Sequence, residues 1–225
     1  MLISYKLSHL PEVKAAIAAA GACSTIEQLS AAIHAFDACE LVTKTRALPG
    51  HAGSRCHATN PVMVIGKSPA ATETETGVHF SGPAGQVLRA AFDGAGLDLE
   101  ACWISLASPW RPRKDNTPNA SQLAYSRPFL FKEIELIQPS VILCLGEKAT
   151  EALTQVAGPI SDRAGTETTV SVRGRDVPMT MLFNHAFVMR SPHDRMPVFR
   201  QHLAEARVRH PDDFAGITID RALAA

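Results

Sequence analysis

The stretch that most constrains the fold is residues 62–85. The apolar run Val62–Ile65 predicts a buried strand, which ends at Gly66. Small residues follow in the loop 67–71, and a second glycine-containing loop, 80–85, opens an amphipathic helix. Small residues let a ligand approach the backbone, and the amides at a helix start favour anions. Taken alone, the pattern is equally typical of an ordinary strand–loop–helix turn.

The composition indicates one globular domain without a strong overall charge. The chain has 225 residues, of which 46% are apolar, and this is enough for the core of a single α/β domain spanning residues 1–225. Its 22 basic residues balance its 22 acidic ones, so contact with a nucleic acid would need a local patch of positive charge.

The cysteines and the apolar runs predict a soluble, cytoplasmic protein. The five cysteines include no CxxC pair, and an odd number without disulfide-like spacing indicates a reducing compartment. The N-terminus shows no secretory signal, and no apolar run is long enough to span a membrane. In the loop 47–61, His51, Cys56 and His57 make a metal site conceivable, but their spacing matches no standard zinc pattern and favours a surface loop.

Hydrophobic periodicity predicts the order of the elements. Helical spacing indicates two N-terminal helices within 8–36, ahead of a core over 60–210. In the core, strands are expected at 62–65, 102–107, 141–145 and 179–183, and helices at 86–95, 120–137, 147–156 and 197–209. The polar stretch 158–177 suggests a hairpin that turns at Gly174. Strands alternating with helices predict an α/β fold, a three-layer α/β/α sandwich around a central, mostly parallel four-stranded sheet.

Ligands of such folds bind beyond the carboxyl ends of the parallel strands. That edge is expected to collect Lys67, Ser68, Pro69, Phe80, Ser105–Ser108, Gly146, Glu147, Asn184 and His185. A flat base could stack on Phe80. The loop 108–114 combines three cations, Arg111 among them, with Trp110; such a loop could hold phosphates or stack on a base, although a charge run is also typical of a solvated connector.

Five segments in chain order resemble the uracil-DNA glycosylase superfamily, and most closely its iron–sulfur branch, often called family four. Cys39-Glu40-Leu41 and Thr45-Arg46 match a C-P-L…T-R pattern, and residues 66–85 match GEAPG…GRPFVGxAG. Residues 96–112, 126–146 and 185–192 resemble GLD…YITNVVKCRPP, CRPFL…QIELIRPKVIVALG and HPxxLLRxP, the last one residue shorter here. The resemblance covers about residues 24–205 and implies the fold of this superfamily.

The resemblance implies a site that extrudes a base and breaks its glycosidic bond. Phe80 would stack on the extruded base, and His185 would stabilise the negative charge of the departing base, with Asn184 orienting its ring. Glu73 would position water or stabilise oxocarbenium character. Ser68, Ser81 and the backbone around Gly82 and Gly85 would hold phosphates. Pro69 would help to bind the extruded base, and Arg111 would contact the DNA. Arg190 would wedge into the duplex, and His193 could share either of the last two roles.

Three of the four cluster positions of the branch have changed. Its four cysteines hold an iron–sulfur cluster, which needs thiolate ligands. Only Cys39 is kept here, while Phe36, Trp110 and Ser126 occupy the other positions. We therefore expect no cluster, no metal and no other cofactor, and we expect Phe36 and Trp110 to fill the volume by hydrophobic packing.

Two pocket positions differ as well. The asparagine that would read the edge of uracil aligns with Leu106, which offers no hydrogen bond, so discrimination in favour of uracil should weaken. The glutamate of the first motif aligns with Lys67. A cation there could stabilise the departing base or contact a phosphate, and an amine could also attack the sugar to form a Schiff base.

Two classes of function follow. The first is a DNA glycosylase that acts on a damaged or modified base other than plain uracil, such as a modified base of foreign or phage DNA. The second is a glycosylase-fold DNA-binding or regulatory protein without activity, and a cluster-less uracil-DNA glycosylase is a further alternative. The expected partner is DNA, with no membrane, and the expected state is a monomer.

Overall fold

A six-stranded sheet forms the centre of the computed structural model, which describes residues 7–38, 46–113 and 117–219. The strands are β1 His51–Ala52, β2 Met63–Gly66, β3 Trp103–Leu106, β4 Ile142–Leu145, β5 Glu167–Val172 and β6 Arg175–Leu182, in the order β1-β3-β2-β4-β6-β5. The inner four strands are parallel, and the two edge strands run antiparallel to their neighbours. The expected four-stranded parallel sheet is thus the middle of a wider, mixed one.

The two edge strands come from segments that sequence reasoning left outside the sheet. β5 and β6 form the hairpin expected at Gly174, whose φ of 82° suits the tight turn. The last strand accordingly begins at Arg175, four residues before its expected start. β1 has only two residues inside the expected surface loop, which is too short to leave a period-two pattern in the sequence.

Helices cover both faces of the sheet. They are α1 Pro11–Gly21, α2 Ile26–Ala35, α3 Ala71–Thr76, α4 Pro83–Gly94, α5 Ala120–Ile137, α6 Glu147–Thr154, α7 His185–Met189, α8 Pro192–Arg209 and α9 Pro211–Ala215. Among the described helices, none is long and apolar enough to cross a membrane. The expected start of the last helix at Pro197 was wrong, because Pro192 occupies its first turn and Pro197 is tolerated inside it.

Side chains alternate between the two faces of the inner strands, as the pleat requires. Val64 and Ile104 point into a core shared with α4, α8 and α9, whereas Met63, Ile65 and Trp103 point into a core shared with α5 and α6. A third apolar cluster joins α1 and α2 to the outer side of α5. The α/β/α layering is confirmed, with the two N-terminal helices as an addition to one layer.

The chain leaves β2 to form β3 on one side and later β4 on the other. Open α/β sheets bind ligands in the crevice at such a reversal, outside the carboxyl ends of the strands. Gly66 ends β2 there, Leu106 ends β3, and Gly146 follows β4. The ends of the strands therefore bring the candidate site residues to one place.

Candidate active site

The candidate base pocket begins where Phe80 lies over the end of β2. A Cβ atom added to Gly66 would lie 2.9 Å from Leu106 Cδ2 and 2.9 Å from a Phe80 ring carbon. Gly66 and Leu106 are also register partners in the parallel pairing of β2 with β3. Only glycine leaves room for the aromatic ring to approach the strand this closely. The structure thus brings together the expected stacking residue and the expected base-reading position.

Phe80 is held in an uncommon backbone conformation. Its φ is +52°, in the left-handed region that a bulky residue rarely adopts, and its side chain is buried. Gly85 makes this possible, because a Cβ there would lie 1.9 Å from the Phe80 carbonyl oxygen. Strain of this kind persists where the surrounding structure enforces it and is frequent at functional sites. The absence of a side chain at Gly85 thus allows the backbone conformation of Phe80, and the contact of Gly85 with phosphate stays a prediction.

His185 packs against the ring of Phe80. The two rings are edge-on, with centroids 5.1 Å apart and an interplanar angle of 85°. His185 Nδ1 is enclosed and has no hydrogen-bond partner among the described residues. Burial, together with the positive charge of Lys67, lowers the pKa of His185 to about 4. The imidazole is therefore neutral at ordinary pH and can donate one hydrogen bond to a group in the pocket.

Asn184 caps α7, and its role in orienting the His185 ring stays a prediction. Its Oδ1 accepts a hydrogen bond of 2.9 Å from the Ala186 amide, which is an N-cap interaction. Its side chain packs against Gly146, where a Cβ would lie 2.7 Å from Asn184 Cβ. The cap fixes the point at which the helix begins, and His185 is the first residue of that helix.

Glu73 ties together the two loops around the pocket. Its Oε1 accepts a 2.8 Å hydrogen bond from the Gly82 amide, and its Oε2 accepts a 3.2 Å bond from the Ala70 amide. The carboxylate is buried. Both oxygens are thus occupied by backbone donors, and so is the Gly82 amide that was expected to hold phosphate. The role of Glu73 in positioning water stays a prediction.

The remaining predicted residues surround this centre at different depths. Pro69 is buried and Ser68 is half-buried in the loop after β2, and the Ser81 hydroxyl is hydrogen-bonded to that of Thr76 at 2.9 Å. Arg111 is half-buried in the loop after β3. Arg190 and His193 are exposed around the start of α8, where the Arg190 guanidinium lies 5.7 Å from the Phe187 ring centroid. Their contacts with DNA stay predictions.

Sequence reasoning missed His79 and Glu133. His79 is buried directly before Phe80 and stacks on His51, with ring centroids 4.6 Å apart. Glu133 is buried on α5 and accepts hydrogen bonds from Trp103 Nε1 (2.6 Å) and Ser105 Oγ (2.7 Å). Neither residue carried a usable signal, since a single histidine in a loop and a glutamate in a helix are usually exposed.

The former cluster positions form an aromatic core. Trp110 is fully buried, with its ring centroid 5.5 Å from that of Phe36 and 5.7 Å from that of Phe129. Ser126 is also fully buried, and its hydroxyl donates to the Gln122 carbonyl. Cys39 lies outside the described residues, as do Glu40, Leu41 and Thr45 of the matching segment. Phe36, Trp110 and Ser126 offer no thiolate, so these residues do not fit an iron–sulfur cluster.

The described cysteines are poor metal ligands where they lie. Burial raises the pKa of the thiols of Cys23, Cys56 and Cys102, and it raises that of Cys144 to about 12. The thiolate is the form that binds metals, and a raised pKa keeps these thiols protonated. In the parts of the chain that the structure describes, no three histidine, cysteine or acidic side chains are grouped to hold a metal ion, and this includes the loop with His51, Cys56 and His57.

Comparisons of the sequence with known proteins agree with this geometry. A family model described as the uracil DNA glycosylase superfamily matches residues 54–207. The chain is 28% identical over 172 residues to the type-4 uracil-DNA glycosylase of Pyrobaculum aerophilum, an alignment that covers 74% of this chain and 86% of that protein. It is 26% identical over 154 residues to the type-4 enzyme of Archaeoglobus fulgidus, covering 67% and 75%. It is 33% identical over 88 residues to that of Thermotoga maritima, covering 39% and 46%.

Proposed function

This chain belongs to the uracil-DNA glycosylase superfamily, and we propose that it is a DNA glycosylase whose preferred substrate is a damaged or modified base rather than plain uracil. The observation that carries this proposal is the meeting of Phe80, His185 and Leu106 at the ends of the central strands. An aromatic face, a neutral imidazole and an apolar wall suit an extruded base whose edge is not read by a side-chain amide.

The mechanism follows from what each side chain can do. The target base leaves the stack and enters the pocket, where it lies against Phe80. As the glycosidic bond breaks, its electron pair goes to the base, and His185 donates a hydrogen bond to the developing negative charge. The positive charge of Lys67, which acts on His185, stabilises the same anion. Water adds to the sugar and loses a proton to solvent, and the base anion takes up a proton from solvent, which leaves an abasic site and the neutral free base.

The side chain of Leu106 supports the proposed preference for a modified base over uracil. It is buried beside Phe80 and cannot donate or accept a hydrogen bond. A polar base edge placed against it would lose hydrogen bonds to water without replacement, at a cost of about 1–3 kcal/mol. An apolar substituent, such as an alkyl group on the base, would instead be stabilised by burial. The pocket should thus favour bases that carry such a group.

We also propose that the enzyme works without an iron–sulfur cluster. Three of the four positions lack thiols, and the side chains of Phe36 and Trp110 pack into the apolar cluster that joins α2 to α5. In this core, aromatic packing takes the place of a cluster in holding α2 against α5. No step of the proposed reaction needs a metal.

The test is a panel of oligonucleotides that each carry one modified base, with uracil and an undamaged duplex included. Each is incubated with the protein and then treated with alkali, which cleaves abasic sites. We expect release of at least one alkylated or otherwise modified base, with uracil released more slowly. Equal or faster release of uracil would favour a cluster-less uracil-DNA glycosylase, a candidate supported by the relatives' names. Tight DNA binding with no release of a base from any duplex would indicate a DNA-binding protein without glycosylase activity.

A further inference from the structure

His79 connects the pocket aromatic to the edge of the sheet. It precedes Phe80 in the chain, and the two rings meet edge-on with centroids 6.5 Å apart. Its other side stacks on His51, at 4.6 Å and an interplanar angle of 27°. Its imidazole also lies near the backbone of Leu48, which acts to raise the pKa of the ring. The ring is thus held from two directions by the segment 48–51.

That segment is itself anchored to the sheet. The Leu48 amide donates a 2.8 Å hydrogen bond to the Pro109 carbonyl, in the loop that follows β3. His51 lies in β1 and pairs with Ile104 of β3. Between them, Gly50 passes the buried Glu133 carboxylate so closely that an added Cβ would overlap it. A continuous series of contacts therefore runs from β3 through the segment 48–51 to His79 and Phe80.

The burial of His79 lowers the stability of the folded protein, which indicates a role for this residue beyond filling space in the core. It is only 4% exposed, and its Nε2 is enclosed without a hydrogen-bond partner among the described residues. Burial and the neighbouring His51 lower the pKa of His79 to about 3, so the ring is neutral whenever the protein is folded at ordinary pH. An unsatisfied buried nitrogen is unfavourable, and an apolar residue would avoid that cost.

Phe80 needs a support of this kind. The left-handed backbone at +52° is unfavourable for phenylalanine, so another conformation would relieve the strain and take the ring out of the pocket. We propose that His79, clamped between His51 and Leu48, is a positioning residue that holds Phe80 in place for stacking on the extruded base. This rests on the proposed glycosylase function, since it is the stacking role of Phe80 that His79 would serve.

The first experiment is a double-mutant cycle measured by kcat/KM on the best base of the panel. We expect His79→Ala to lower kcat/KM about tenfold, within the range of one lost base–aromatic stacking contact. In a Phe80→Ala background, His79→Ala should change kcat/KM by less than about twofold, because the residue it positions is gone. His79→Phe keeps the ring on His51 and should restore most of the activity. Equal losses in both backgrounds would overturn the proposal and leave His79 as a packing residue.

The second experiment does not depend on activity. Fluorine-labelled phenylalanine at position 80 should give one sharp fluorine resonance in the otherwise unchanged chain. His79→Ala and His51→Ala should broaden or split it, since Phe80 would then sample several conformations, while His57→Ala, an exposed histidine of the same loop, should not. A single sharp resonance in the His79→Ala chain would overturn the proposal even if no base is ever released. Release of no base together with a split resonance would refute the glycosylase function and the stacking role, yet show that His79 orders Phe80.

Discussion

At the scale of single residues, His185 should matter for the rate far more than for DNA binding. Its hydrogen bond strengthens only as the base becomes an anion, so His185→Ala should lower kcat about a hundredfold, or ~3 kcal/mol, with DNA affinity nearly unchanged. Because the pKa of His185 is about 4, kcat should show no step from this group between about pH 5 and 8. Single-turnover rates and binding isotherms measure both. An inflection near pH 6.5 that disappears in His185→Ala would contradict the neutral imidazole.

Leu106 should control the choice of base. Leu106→Asn adds a donor and an acceptor where the branch has its asparagine, and we expect it to raise uracil excision at least tenfold relative to the modified base. The comparison is the ratio of kcat/KM for the two substrates in each chain. Leu106→Met, which keeps the wall apolar at similar volume, is the matched control and should leave the ratio near that of wild type.

Lys67 has two chemical roles open to it, and trapping distinguishes them. If it stabilises the leaving base or contacts a phosphate, borohydride added during turnover should give no covalent adduct, and Lys67→Arg should keep much of the rate because the charge is kept. If it is a nucleophile, borohydride should reduce the Schiff base to a protein–DNA adduct that Lys67→Arg abolishes. We expect the first outcome, since the charge of Lys67 already acts on His185. Denaturing gels of the reaction read out the adduct.

At the scale of elements, the contact between β3 and α5 makes stability depend on pH. Burial raises the pKa of Glu133 to about 7, despite hydrogen bonds from Ser105 and Trp103. The folded protein then holds this proton more tightly than the unfolded chain, so its free energy of unfolding falls as pH rises from about 4.5 to 7. Glu133→Gln keeps the shape and an acceptor for Trp103 but does not titrate. We expect it to be more stable than wild type by about 2–3 kcal/mol at pH 8, with the difference vanishing near pH 4.5.

Urea unfolding at several pH values measures this difference, and Glu135→Gln on the same helix is the control. Partial burial of Glu135 opposes its ionisation, but Lys132 and Arg173 outweigh this and lower its pKa. Removing that charge should therefore give no gain at pH 8. Other titrating groups are common to all three chains and cancel in the comparison. A Glu133→Gln chain that is less stable at pH 8 would mean that the carboxylate is better solvated than its burial indicates.

The central elements could be predicted from the sequence because their signals are local. The apolar runs of β2 and β4 are each followed closely by a glycine, Gly66 and Gly146, and Thr25 caps the start of α2 by accepting a hydrogen bond from the Gln28 amide. The two-residue strand β1 and the stacking of His51 on His79 depend on residues distant in sequence. No local pattern predicts such contacts. The engagement of both Glu73 oxygens by backbone amides is equally a property of the folded loops.

At the scale of the whole molecule, the aromatic core should make iron unnecessary for folding. We expect the purified protein to be colourless and free of bound iron, because Phe36, Trp110 and Ser126 offer no thiolates. Metal analysis and the visible spectrum test this after reconstitution with iron and sulfide. A family-four enzyme with all four cysteines is the positive control. About four iron atoms per chain, with absorbance of a thiolate-held cluster, would refute the expectation.

Because of the order of its strands, the chain can form the pocket only after most of it has left the ribosome. β2 pairs with β3 about 40 residues later and with β4 about 80 residues later, and closing such long loops costs entropy before the pairing repays it. His185 follows Gly66 by about 120 residues, so a nascent chain exposes an apolar β2 long before its neighbours exist. The strand that carries the pocket is the first of the parallel four to be synthesised, and its ligand-binding end is completed only when α7 has emerged.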